Sequence, residues 1–149
     1  AVELGDAASC YSIALRLDQP DQAAERRRYL ELGVERSNAL SARLLADDMR
    51  AEARPRGPHD PAAETASRYY LKALEWGVKG AASSAGEMFL EAGDIAAARR
   101  ILTLGARLRD SNSALKLAEL EEKHAQDLPA AALARRWAEV LRQSGGAGT

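Results

Sequence analysis

Aromatic residues are scarce, with one Phe, two Trp and four Tyr among 149 residues. A chain of this length can bury the core of one domain, so that core has to be filled by Ala and Leu. Val, Ile and Thr are also few and never alternate, which removes the usual signature of a sheet. Cys10 is the only cysteine, which excludes an internal disulfide framework and leaves the redox compartment open. Charge of one sign is not in excess. The net value is −1 with both signs interspersed, and that supplies no electrostatic footprint for nucleic acid or an anionic membrane. No apolar run approaches the roughly 18 to 20 residues of a membrane helix. The sequence opens at Ala1 without Met or an apolar leader, and an excised domain or mature form is expected.

What is abundant points one way. Ala, Leu, Arg, Glu and Lys lose little side-chain entropy in a helix, and start and stop signals divide the chain into eight helical segments. The first covers about residues 3–17 and ends before "DQPD", where Pro20 blocks continuation and Asp21 is the expected cap of a second helix running to about 36. Ser37 or Asn38 opens the third, which reaches about Glu52. "ARPRGPHD" (53–60) follows as an irregular loop, and Asp60-Pro61 is a strong helix start. The fourth helix is expected to run to about Lys79, with Gly80 separating it from a fifth near 81–92. Gly93 then stops the fifth and Asp94 caps the sixth, which continues to about Arg109. The seventh spans about 112–125, Pro129 sits in the first turn of the eighth, and 145–149 is expected to be a flexible tail.

Short connections make consecutive helices antiparallel neighbours, giving hairpins at about 3–37, 38–79, 81–109 and 112–144 within a single helical domain. The second helix of each hairpin carries an Ala-x-Arg-x step, at Ala24, Ala66, Ala98 and Ala134, spaced by 42, 32 and 36 residues. A second echo pairs "LELGVERSNAL" (30–40) with "LTLGARLRDSNSAL" (102–115). A period near 36 with two helices per unit predicts an all-α superhelix, in which each hairpin covers its neighbour's apolar face. From Ala66, "ASRYYLKALEWGVKGA" resembles the signature of Sel1-like repeats, a subclass related to tetratricopeptide repeats. The matching residues are Ala66, Tyr69, Tyr70, Lys72, Ala73, Leu74, Gly77 and Ala81, with Trp76 in the same stretch. The match covers about one repeat as sequence. The unit "AARRILTLGA" keeps only the small pair Gly105 and Ala106. The resemblance implies a right-handed superhelix used for protein contacts, with no enzymatic activity.

Residues with catalytic or metal chemistry do not gather into a pattern. His59 and His124 are the only histidines, and zinc requires three or four suitably spaced ligands. His59-Asp60 reads as a loop residue followed by a helix cap. No nucleophile elbow or phosphate-binding glycine fingerprint occurs. Asp47-Asp48 and Glu121-Glu122 point about 100° apart on a helix, so neither pair forms an acid-base couple. Cys10 lies at helical spacing with Ala7, Ala14 and Leu17, as a small core residue would. Tyr69, Tyr70, Trp76 and Trp137 are read as packing between hairpins, with ligand contact as the alternative. The recurring Arg is read as a surface residue whose stem covers apolar neighbours, with a ladder for an acidic partner as the alternative.

The functional expectation is a non-enzymatic protein–protein interaction module, needing no cofactor or metal and acting as a monomer or weak oligomer. Its concave face would be lined by the first helix of each hairpin. Helix position nominates Arg43, Asp47 and Arg50, then Glu87 and Glu91, then Lys116, Glu119 and Lys123. Replacing the first three with Ala is expected to weaken partner binding and leave the melt nearly unchanged. Two other classes fit the same sequence: a bacterial immunity-type inhibitor that blocks a toxin, and a cell-envelope or secretion assembly subunit. Cytoplasm and periplasm both fit as locations.

Overall fold

The computed structural model describes residues 7–124 and 128–145. The ends of the first and seventh helices expected at 3–6 and 125, and the tail at 146–149, lie outside the described residues. Eight α-helices and no strand occur among the described residues, and none of these helices is long and apolar enough to cross a membrane. Packing divides the chain into two compact units, Ala1–Val78 and Lys79–Thr149. The first holds α1 (Ala7–Arg16), α2 (Ala23–Glu35), α3 (Ala39–Ala53) and α4 (Pro61–Glu75). The second holds α5 (Ala81–Glu91), α6 (Ile95–Arg107), α7 (Ser111–His124) and α8 (Leu128–Gly145). Within each unit, successive helices pack as neighbours.

The two units repeat each other locally at a constant offset of 72 residues. Helix α2 maps onto α6 at both ends, and α3 onto α7 at its start. The fully buried residues follow: Leu30 corresponds to Leu102, Ala42 to Ala114 and Ala46 to Ala118. Close approach is set by small residues. A Cβ on Gly33 would lie 2.6 Å from the Cβ of Ser41, and one on Gly105 would lie 2.6 Å from the Cβ of Ser113 and 2.7 Å from that of Ala82. Each glycine thus brings a second helix against the following one at a separation no side chain permits. That separation explains how a core poor in aromatics is filled at native density.

This register corrects one alignment made from the sequence. Ala66, Ala98 and Ala134 are buried, whereas Ala24 is exposed. At an offset of 72 the residue opposite Ala98 is Arg26, and Ala24 corresponds to the exposed Ala96. Arg26 pairs with Asp48 at 2.7 and 3.1 Å, in the place where unit two carries the apolar residues Ala98 and Leu120. An ion pair therefore substitutes for a buried contact at one edge of unit one.

Turn geometry accounts for the repeats and for two misplaced boundaries. Asn38, Val78, Asp94 and Asp110 each donate a backbone N–H to the carbonyl five residues back, at 2.9 Å, the wide bond of a Schellman turn. The preceding residues Ser37, Gly77, Gly93 and Arg109 take φ of 58°, 107°, 81° and 69°. Gly77 thus ends α4 at Glu75, four residues before the expected Lys79, and Gly80 instead precedes α5 in right-handed conformation with φ −64°. Asp21 does not cap α2. It lies in a 3₁₀ turn, Pro20–Gln22, and α2 begins after Gln22 without a side-chain cap. Elsewhere the caps form as read: Asn38, Asp60 and Asp94 accept from Ser41, Ala62 and Ala97 at 2.8, 2.9 and 3.1 Å.

Equivalent turns at Gly33, Ala73 and Gly105 are 40 and 32 residues apart, so one hairpin carries eight extra residues. Four are a turn of helix, since α3 has 15 residues and α5 has 11. The other four lie in the Pro-rich connection before Asp60. Ser37 and Arg109 carry a Cβ in the left-handed region, which costs roughly 1 to 2 kcal/mol. Ser37→Gly and Arg109→Gly are each expected to raise unfolding free energy by about 1 kcal/mol, measured by urea denaturation. A loss of stability in both variants would refute this account of the turns.

Candidate interaction surfaces

The first helices supply one recurrent polar position. Asp47, Glu87 and Glu119 are separated by 40 and 32 residues, the same spacings as the turns, so each stands at one register of its hairpin. Their surroundings differ. The Tyr70 hydroxyl donates to Asp47 at 2.5 Å, Glu87 forms an ion pair with Lys116 at 3.0 Å between α5 and α7, and Glu119 is exposed and acts on Arg135 through its charge. Arg43, Glu91 and Lys123 are also exposed. Arg50 is half-buried, and its guanidinium faces the same phenol as Asp47.

Tyr70 explains the most conspicuous stretch of the sequence. It occupies the register of Leu30 and Leu102 and is 1% exposed. Burial raises its phenol well above the usual tyrosine range, the hydrogen bond and charge of Asp47 add to this, and Arg50 opposes it. A phenol reaches further than Leu, so its hydroxyl needs a polar partner at the rim, which Asp47 provides. Around it Ala66, Ala73 and Ala81 are fully buried and Leu74 is buried. Tyr69 is half-buried against the cluster of Ala14, Leu30 and Leu45. Trp76 caps the end of α4, half-buried, with the exposed Lys72 ammonium 5.5 Å from its ring centroid. The triple replacement of Arg43, Asp47 and Arg50 therefore cannot be neutral to folding, because two of its members contact a core residue.

The recurrent arginines do not share one environment. Arg26 pairs with Asp48, and Arg68 with Glu64 at 2.7 Å along α4. Arg100 is exposed, and Arg136 lines a cleft on α8. Other arginines do repeat across the units: Arg27 pairs with Glu52 and Arg99 with Glu121. Arg27 holds the Glu52 carboxyl below its ordinary range, Arg56 adding to the effect, and Arg135 does the same for Glu122 through a two-pronged hydrogen bond.

Sequence reading missed this cleft between α7 and α8. It has a volume of about 520 Å³ and is lined by Leu115, Arg135, Arg136, Ala138, Glu139 and Arg142, with the start of α7 at one end. The signal for it was the Ala at 138, where the register of α4 predicts a large residue. His59 is exposed in the Pro-rich loop beside the α4 cap, and no three metal-ligating side chains converge among the described residues. Comparison with protein-family models, with curated proteins and with solved structures gives no match for this chain.

Proposed function

We propose that the chain is a helical-repeat protein of Sel1-like or tetratricopeptide-like kind, an α-solenoid of four hairpins, acting as a non-enzymatic protein–protein interaction module. The observation that carries this reading is the recurrence of a carboxylate at one register of three first helices, on hairpins whose buried positions also recur. A core position repeats because packing demands it. A rim carboxylate that meets a phenol in one hairpin, an ammonium in the next and solvent in the third has no common packing reason to repeat. Presentation of acidic and basic groups from a scaffold ordered beforehand lowers the entropy lost on association.

The test avoids the residues that touch Tyr70. Glu87→Lys with Glu119→Lys reverses two rim charges at sites where exposed ion pairs contribute little, about 0 to 1 kcal/mol. Affinity capture from the source organism, quantified by mass spectrometry, is expected to retain a protein on the native chain and lose at least tenfold of it on the double variant. The circular dichroism melts of the two chains should coincide. Equal recovery on both chains would remove the first-helix rim from consideration.

A further inference from the structure

Helix α8 repeats α4 at an offset of 68 residues: buried Ala134, Ala138 and Leu141 stand at the positions of buried Ala66, Tyr70 and Ala73. The register of the largest buried side chain in unit one is therefore occupied in unit two by a methyl group. In unit one the phenol fills the space between α3 and α4 and reaches Asp47. In unit two the space beside Ala138 is the cleft between α7 and α8, of about 520 Å³. A missing aromatic ring explains why an opening exists there.

The walls of that opening are polarised. Arg135, Arg136 and Arg142 line it against a single carboxylate, Glu139, and Leu115 contributes a side chain that is 43% exposed. Glu122 holds Arg135 through both Nε and Nη2, and Glu139 holds Nη2 of Arg142. Two of the three guanidinium groups are thus already oriented, each with further N–H donors beyond those pairs. An ordered guanidinium loses less entropy when it meets a carboxylate than a mobile one does. The chain as a whole carries a net charge of −1, so this basic wall is a local feature.

We infer that the α7–α8 cleft binds a short acidic segment of a partner protein, one aromatic side chain of the segment lying over Ala138 and Leu115 and its carboxylates meeting Arg135, Arg136 and Arg142. The inference rests on the reading of the chain as an interaction module and assigns it a second surface, on α8, separate from the first-helix rim. The aromatic ring restores the packing that Tyr70 supplies in unit one. The carboxylates select a protein segment because flanking charge is combined with one apolar anchor.

The experiment is fluorescence anisotropy on the full chain with a labelled twelve-residue peptide in which one Phe is flanked by Asp and Glu. Two substitutions attack the cleft independently: Arg136→Gln with Arg142→Gln removes charge, and Ala138→Tyr fills the space. Each is expected to weaken binding about tenfold or more, as loss of a charge-assisted contact or an anchor pocket does, with the melt recorded for both. The peptide with Ala for Phe should bind several-fold more weakly, and binding should weaken with salt. Unchanged affinity in the arginine variant overturns the inference even if Ala138→Tyr fails to fold. A twelve-nucleotide single-stranded DNA bound as tightly as the peptide overturns it as well. Peptide binding that survives Glu87→Lys with Glu119→Lys separates this surface from the rim: loss of either activity alone refutes only the corresponding assignment.

Discussion

Gly105→Ala is expected to lower the unfolding free energy by about 3 kcal/mol, at the upper end of what overpacking a core costs. On an exposed helix the same change would stabilise by about 1 kcal/mol, since Ala is the better helix former. The sign reverses here because the new Cβ would sit 2.6 Å from the Ser113 Cβ and 2.7 Å from the Ala82 Cβ. Neither atom can rotate away, so α6 must move from α7 and α5 together. Gly33→Ala meets only Ser41, at 2.6 Å to its Cβ, with Cys10 at an ordinary 3.8 Å. Gly33→Ala with Ser41→Gly should therefore recover most of the loss, short of the roughly 1 kcal/mol that Gly costs inside a helix. Gly105→Ala with Ser113→Gly should not recover, because Ala82 remains. Urea denaturation of the four variants decides this. Equal rescue in both units would mean that the helices separate easily and that their approach does not rest on these glycines.

The same glycines show how far the sequence was legible. Helix number and most caps followed from local chemistry, because Pro, Gly and Asp act on the backbone next to them. The echo between 30–40 and 102–115 pointed to the right turns. Its register was misjudged because Ala and Arg are so frequent that Ala24 could be set against Ala98, two residues from its true counterpart, Ala96. Burial resolves the ambiguity: Ala98 is enclosed and Ala24 is exposed. The end of α4 was misjudged for a similar reason, since Gly77 and Gly80 offer equal freedom on paper and only one adopts a positive φ. The surface was less legible still. Exposure of Arg43 follows from helix phase, but the contact of Asp47 with Tyr70 depends on how α3 and α4 meet across 23 residues. The cleft beside Ala138 was invisible because an alanine in an alanine-rich helix announces nothing until its counterpart is known to be tyrosine.

Tyr70 gives the other large expected effect. Tyr70→Ala should cost about 3 to 5 kcal/mol, the range for deleting a fully buried aromatic ring, because the side chain is 1% exposed and stands where the other hairpins carry Leu30 and Leu102. Tyr70→Phe keeps the ring and removes only the bond to Asp47, so about 1 kcal/mol should be lost. Asp47 is exposed, and water can satisfy it once the phenol is gone. Tyr70→Leu restores the side chain of the neighbouring repeats but leaves the phenol's volume empty, and its cost should fall between the other two. Phe losing as much as Ala would place the stability in the hydrogen bond instead of the ring, and would make Asp47 a structural residue. The ordering expected here is Phe, then Leu, then Ala. It rests on an interior in which one aromatic ring does the filling that paired small residues do elsewhere in the chain. Because burial and the Asp47 carboxylate both raise the phenol's pKa, its ionisation opposes folding: stability from this site is complete at neutral pH and falls once the pH exceeds the ordinary tyrosine value of about 10. Tyr70→Phe should remove that alkaline component while Tyr29 and Tyr69 remain, so the difference between the two pH profiles isolates Tyr70. Parallel profiles up to pH 11 would show that the phenol is not enclosed.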